Sequence, residues 1–195
     1  MMPTFFKATS CGRRAILTLV AVVSVGGIAA CGDDPFLIRW ELDPDTVLLY
    51  SLARPEFNLL SGFNFRQRIG VTVEDATATG TWDLAVDTRG GQIVFLTPQV
   101  LGVDSRAGIA PLPGKTFDIR RAPEDTAAYV TDEPVPVTVG TLYVVRTNQT
   151  LGSFGTRCQY YYKVMPLAAD PQQGTVTFMY DGSPVCNDFK LIPPD

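Results

Sequence analysis

The sequence predicts an all-β chain: an antiparallel β-sandwich or partly closed barrel of about ten short strands. Three observations point there. Fifteen prolines and seventeen glycines punctuate 195 residues. Between them lie short runs rich in β-branched and aromatic residues, several alternating with period two. Beyond the first thirty residues no stretch sustains helical periodicity.

The N-terminus has another design. Lys7, Arg13 and Arg14 precede sixteen uncharged residues, Ala15 to Ala30, and no acid occurs before Asp33. That run is short of the ~20 residues a membrane span needs. It ends Ile28-Ala29-Ala30-Cys31. This stretch resembles a bacterial lipoprotein signal with its lipobox. The resemblance implies cleavage before Cys31 and acylation of that cysteine, which would hold the protein on a bilayer. Gly32 after the cysteine, where an aspartate would resemble an inner-membrane retention signal, favours the outer membrane of the cell envelope. The expected organisation is a signal peptide over 1–30, a lipidated tether over 31–35 and one β domain over 36–195.

Loss of residues 1–30 leaves 13 Lys+Arg against 20 Asp+Glu, a net charge of −7. Such a domain repels phosphate and is expected to bind no nucleic acid. The chain has no histidine. That excludes Ser-His-Asp and Cys-His nucleophile arrangements and imidazole-ligated zinc. With Cys11 removed and Cys31 acylated, Cys158 and Cys186 remain and are expected to pair in an oxidising compartment. The bridge would close a loop of about 28 residues, worth ~3–4 kcal/mol by chain entropy. Two free thiols, or a two-cysteine metal site without further ligands nearby, are the alternatives.

In chain order, Phe36–Trp40 reads as a first extended run and Leu42–Asp45 as a turn. Asp43 and Asp45 suit turn chemistry better than calcium, because no further oxygen ligands follow. Thr46–Leu52 is a strand. Phe57–Phe65 holds three Phe and a Ser-Gly turn. Arg68–Glu74 alternates with Ile69, Val71 and Val73 on one face. Gly80–Asp87 and Gln92–Leu96 flank Gly90-Gly91 as a hairpin, with Trp82, Leu84 and Val86 on one face. Trp82 is expected in the core and Asp83, opposite, in solvent. Gln99–Ala110 suits a helical turn or a short crossing strand. Thr116–Arg121 reads as a strand with Phe117 and Ile119 inward. Ala122–Ala128 starts a turn or two of helix. Tyr129–Thr131 and Val135–Val139 are short extended pieces, their prolines marking an exposed edge. Thr141–Thr147, Arg157–Met165 and Thr175–Tyr180 form a three-stranded meander stapled by the two cysteines. In the last strand Val176, Phe178 and Tyr180 face one way. Asn148-Gln149-Thr150 fits a glycosylation pattern but reads as a surface turn.

Two constellations could carry function. Tyr160-Tyr161-Tyr162 puts Tyr161 on the face opposite its neighbours, where it could meet a flat ligand, a glycan or a peptide; a sheet buried on both faces is the alternative. The acidic pairs Asp33-Asp34, Glu74-Asp75, Glu124-Asp125 and Asp132-Glu133 could serve a carboxylate-based hydrolase. They fall in turns and strand ends, where solubility accounts for them, and the chain is read as a non-enzyme.

The order WDLAVDTRGGQ, LYVVRT, a Gly-containing turn, YYYKVMPL and GTVTFMY is similar to the pattern of HmuY-like haem-binding lipoproteins, over about residues 45 to 182. That resemblance implies a lipid-anchored all-β domain whose haem is held by axial histidines or methionines. Here Met165 and Met179 are the candidates, with ordinary packing as the alternative; otherwise no cofactor is expected. The chain also resembles small lipoproteins of environmental bacteria, which implies location and fold. The expected function is a membrane-anchored binding or envelope-associated structural module. Its partners would be the lipid bilayer and an unidentified small-molecule, glycan or protein ligand.

Overall fold

A computed structural model describes residues 38–194; the expected signal peptide over 1–30, the expected tether over 31–35 with Cys31, and Phe36–Leu37 lie outside the described residues. Twelve strands form two five-stranded antiparallel sheets and one small hairpin. The sheets stay separate and do not close into a barrel, which decides for the sandwich.

The first sheet is built around the C-terminal meander, where alternation in the sequence is strongest. β8 (Leu142–Arg146), β11 (Tyr161–Asp170) and β12 (Thr175–Gly182) lie side by side. β1 (Asp45–Tyr50) adds to β12 and β6 (Gly108–Leu112) to β8, giving the order β1-β12-β11-β8-β6. Pro166 falls just past the residues of β11 that pair with β8, and a register shift between Pro166 and Ala168 takes up Leu167. A proline lacks the donor a central ladder needs, so a bulge beyond the β8 pairing is where it fits.

The second sheet runs β3-β2-β4-β5-β7. β4 (Leu84–Arg89) and β5 (Gln92–Leu96) are the predicted hairpin. Gly90 and Gly91 take φ of 59° and 75°, values a side chain resists. β2 (Gly62–Asn64) and β3 (Ile69–Val71) flank β4, and the two-residue β7 (Val135–Pro136) ends the other edge. The small hairpin pairs β9 (Thr150–Leu151) with β10 (Arg157–Cys158).

The inner faces meet in an aromatic core. Phe63, Phe65, Phe95, Tyr143, Phe178 and Tyr180 are nearly solvent-free. Their rings pack edge-on or tilted: Phe63–Tyr180 at 4.8 Å, Phe63–Phe65 at 5.0 Å, Phe95–Tyr143 at 5.4 Å. Full burial of each such side chain contributes ~1.5–3 kcal/mol. The Tyr143 hydroxyl donates to the Pro136 carbonyl and accepts from Thr138 N, so its polar end is satisfied.

Several expectations need correction. Ile38–Trp40 is not a strand. Thr116–Arg121 forms no strand either; it crosses the outer face of the first sheet, touching strand pairing only at the Arg121–Lys190 bridge. Of Arg68–Glu74 only three residues pair, and Ile69 is 49% exposed while Val71 and Val73 are half-buried against the Trp82 cluster, away from the main core. Trp82 is in the core, but not beside Leu84 and Val86. It packs with Ala85, Val94 and Leu96 on the other face of the second sheet. β4 starts only at Leu84, so strand alternation does not extend back to residue 82. Gln99–Ala110 contains both a 3-10 turn, Pro98–Leu101, and the start of β6. Thr126–Ala128 is a single 3-10 turn capped by Asp125.

Candidate functional site

The chemistry gathers at one end of the sandwich, where β2 leaves, β4 enters and the β8–β11 connection loops across. Asp83 sits there 6% exposed, not in solvent as its strand position suggested. Its Oδ2 accepts from Phe65 N at 3.0 Å and its Oδ1 from Asn148 N at 2.8 Å. One carboxylate therefore ties the second sheet to the loop leaving β8 in the first. The two amides favour its charged form, but burial outweighs them and pushes the carboxyl up to about 6. The same burial raises the neighbouring Tyr162 hydroxyl, with the charge of Asp83 adding to the effect.

Asn148 extends the network. Its Oδ1 accepts from Arg106 N and Gln149 N. Gln159 Nε2 donates to the carbonyls of Arg106 and Thr147. Over this frame opens a cleft of about 390 Å³ lined by Asn64, Arg66, Gln67, Thr81, Asp83 and Thr147–Thr150. The volume suits a ligand the size of one or two sugar rings or a dipeptide. Arg66 stands between this cleft and a second one of about 280 Å³, lined by Trp40, Asp43, Arg68, Tyr162, Tyr180 and Asp181 among others. The Arg66 guanidinium lies 5.4 Å from the Tyr160 ring and donates to Thr150 Oγ1 at 3.2 Å.

Arg68, with a left-handed φ of 57°, straps the N-terminal segment to this end. Its Nη1 donates to Asp43 Oδ2 at 2.6 Å and its Nη2 to the Asp43 carbonyl at 2.8 Å. Its guanidinium also stacks 5.3 Å from Tyr180, whose hydroxyl bonds Asp45. Hydrogen bonding to Tyr180 and Asp43 raises the Arg68 pKa. Asp43 and Asp45 thus serve as anchors for an arginine.

The predicted site residues are distributed differently. Cys158 and Cys186 are bonded, 28 residues apart. Tyr160 and Tyr162 face the main core. Tyr161 does point the other way, but it is only 6% exposed, covered by Phe189 at 4.6 Å and Tyr129 at 6.2 Å. The sheet is buried on both faces here, so Tyr161 offers no open platform and its ligand-binding reading is corrected. Met165 and Met179 are direct cross-strand partners on the outer face of β11 and β12, each half-buried. A haem iron with two protein ligands needs a groove whose opposite walls each supply one. Side-by-side methionines on one hydrogen-bonded ladder make a single wall, and neither lines the clefts above. The residues present do not fit haem.

Two of the acidic pairs resolve into local structure: Asp75 and Asp125 cap 3-10 turns, Glu124 pairs with Arg121, and Glu74 accepts from Ser61, while Asp132-Glu133 is exposed. Asp33-Asp34 lies outside the described residues. Among the described residues no three metal-binding side chains converge.

Sequence reasoning missed Lys163. It stands amid Tyr161, Tyr162 and Val164, and its side chain is 2% exposed. Asp181, directly across the ladder, lies 3.7 Å from its ammonium, and the Phe117 ring covers it at 4.6 Å. Desolvation lowers the Lys163 pKa against the pull of Asp181. Asp181 Oδ2 has no hydrogen-bond partner. Asp83 and Lys163 shared one visible signal, a charge inside an apolar run. For Arg66, Arg68 and Asn148 there was none.

Fold and site together define a class: an antiparallel β-sandwich with two adjoining polar clefts at one end and a further one, of about 350 Å³ beside Arg54 and Gln173, at the other. Comparison of the chain with family models, with curated proteins and with solved structures returned no match.

Proposed function

We propose that the protein is an extracytoplasmic lipoprotein, held in the cell envelope by acylated Cys31, whose β-sandwich is a binding or envelope-associated structural module. The bilayer is its first partner, with the outer membrane favoured. Its second is a small polar ligand, a short glycan or peptide, received by the cleft beside Arg66 and Asn148.

The observation that carries this reading is the Cys158–Cys186 disulfide. Such bridges persist in oxidising compartments, which is where a lipobox-type signal delivers its cargo. The two features lie far apart in the chain and agree. Backbone and side-chain donors around a rigid, disulfide-braced cleft support the binding role.

Cell fractionation tests the anchor. The native chain is expected in the membrane fraction with an acylated N-terminal cysteine by mass spectrometry, and Cys31→Ala is expected to lose both. A native chain that is soluble and unacylated would refute it. Glycan and peptide arrays test the cleft. Binding that drops ~10-fold in Arg66→Ala supports the assignment, and binding indifferent to Arg66 sinks it.

A further inference from the structure

The β9–β10 hairpin carries an anomaly. Phe154 at its tip is fully exposed, and Leu151 beside it is 76% exposed. Phe154 also holds a left-handed φ of 57°, which an aromatic residue rarely adopts. Such a conformation persists where the surroundings enforce it. Here they do. Gly152 N donates to the Thr156 carbonyl at 2.7 Å, and Thr156 N to Ser153 O at 3.2 Å. Cys158, fixed by its disulfide, presses on the loop so closely that a Cβ at Gly152 would stand 2.4 Å from its sulfur. The protein thus spends backbone strain and a covalent brace on holding an apolar side chain out in water.

The position of this tip suggests its partner. Arg66 donates to Thr150 at the base of the hairpin and lines the cleft that also contains Trp40 and Asp43. The hairpin therefore stands at the same end of the sandwich as the N-terminal segment. Cys31 precedes Trp40 by nine residues, a reach of at most ~30 Å. A chain acylated at Cys31 holds this end nearest the bilayer.

Charge agrees. The mature chain is acidic, yet Arg66, Arg106 and Arg157 are exposed around the hairpin. The acids nearest them in sequence are Glu74, Asp104 and Asp170, and Glu41, Asp43 and Asp181 line the cleft that Arg66 borders, on the side away from the hairpin's Thr150. Arginines rimming an apolar tip keep their heads at the headgroup level while the tip enters the acyl boundary.

We infer that the Leu151–Phe154 tip is a second membrane contact, inserting into the bilayer surface beside the lipid anchor and fixing the orientation of the sandwich on it. This rests on the anchoring reading above. The clefts then open close to the membrane plane, and their ligand is one presented there.

The test uses the full chain, purified and reconstituted into phosphatidylethanolamine–phosphatidylglycerol vesicles with and without acyl-chain bromination. Three proteins are compared: native, Phe154→Trp, and Phe57→Trp. Phe57 is also exposed, at 79%, but follows the opposite end of β1. Mass spectrometry of the same samples reads acylation. The added emission of Phe154→Trp is expected to be quenched by brominated lipid by ~twofold or more, and that of Phe57→Trp to be unquenched. An acylated chain whose residue-154 emission is unquenched overturns the inference and leaves the tip to a protein partner. Equal quenching at both positions overturns it too, since contact would then not be specific to this end. An unacylated chain that leaves the vesicles fails the anchoring reading and takes this inference with it.

Discussion

The two ends of the sandwich are held by different means. At the far end the links are mostly backbone turns and exposed charges: the Gly90-Gly91 return, Asp170 accepting from Gln172 N and Gln173 N, and the ion pairs Arg54–Glu56 and Arg89–Asp87, with two long-range hydrogen bonds, Thr88 Oγ1 to Ser51 Oγ and Arg54 Nη1 to the Gln173 carbonyl. At the near end the links are buried or covalent and join residues distant in sequence: Asp83 to Asn148, Lys163 to Asp181, and Cys158 to Cys186. Turn chemistry and neutral or exposed hydrogen bonds serve where strands reverse. Where the N-terminal segment, β2, β4 and the β8–β11 connection meet, buried charge and a disulfide join them. The cost of that arrangement is desolvated charge.

This contrast can be broken by mutation. The largest effect is expected from Lys163→Ala, which strands Asp181 without its counter-charge; chemical denaturation should show a loss of ~3–5 kcal/mol. A near-native midpoint would mean that Asp181 simply takes a proton. Next comes the disulfide. Cys158→Ser with Cys186→Ser, or reduction of the native chain, is expected to cost ~3–4 kcal/mol in a reversible melt.

Asp83 makes a prediction in pH. Its folded pKa, about 6, stands above the ordinary carboxylate value, so the folded state binds its proton more tightly than the unfolded chain. The stabilisation from that proton is complete below pH ~4 and is lost as pH rises through about 6, a fall of up to ~3 kcal/mol. Asp83→Asn should flatten the stability profile in that window. If the mutant keeps the same slope, another group titrates there.

The smallest effects should separate the two ends. Arg68→Ala, at the near end, is expected to cost ~1 kcal/mol, since its ion-pair partners Asp43 and Asp45 are largely exposed and only Tyr180 is buried. Arg54→Ala, its far-end counterpart, should leave the melting temperature unchanged within error.

The same division sets what could be read from the chain. Period-two alternation in Thr175–Tyr180 and the Gly-Gly return of the β4–β5 hairpin were legible because each is decided by a few neighbouring residues. The cysteine pair was legible by counting. The near end was not. Alternation says which face a side chain takes, but not whether a later segment covers that face. Asp83 therefore reads as solvated, and Tyr161 as either available or buried in a doubly covered sheet, although Asn148 and Phe189 cover them. Thr116–Arg121 has a strand's pattern without a strand's partner. Phe117 lies instead against the Lys163 ammonium, an interaction with no local signal.

The pairing of β1 with β12 has a kinetic consequence. Asp45 lies opposite Tyr180, 135 residues later. As the chain emerges from its N-terminus during synthesis, the first strand waits without its hydrogen-bond partner until nearly the last residues have emerged. Such a topology has a high contact order and closes slowly. Throughout that wait β1 presents an unpaired edge with Leu48 on it, still 42% exposed in the finished fold. The nascent chain is thus most vulnerable to aggregation and proteolysis at the strand it makes first.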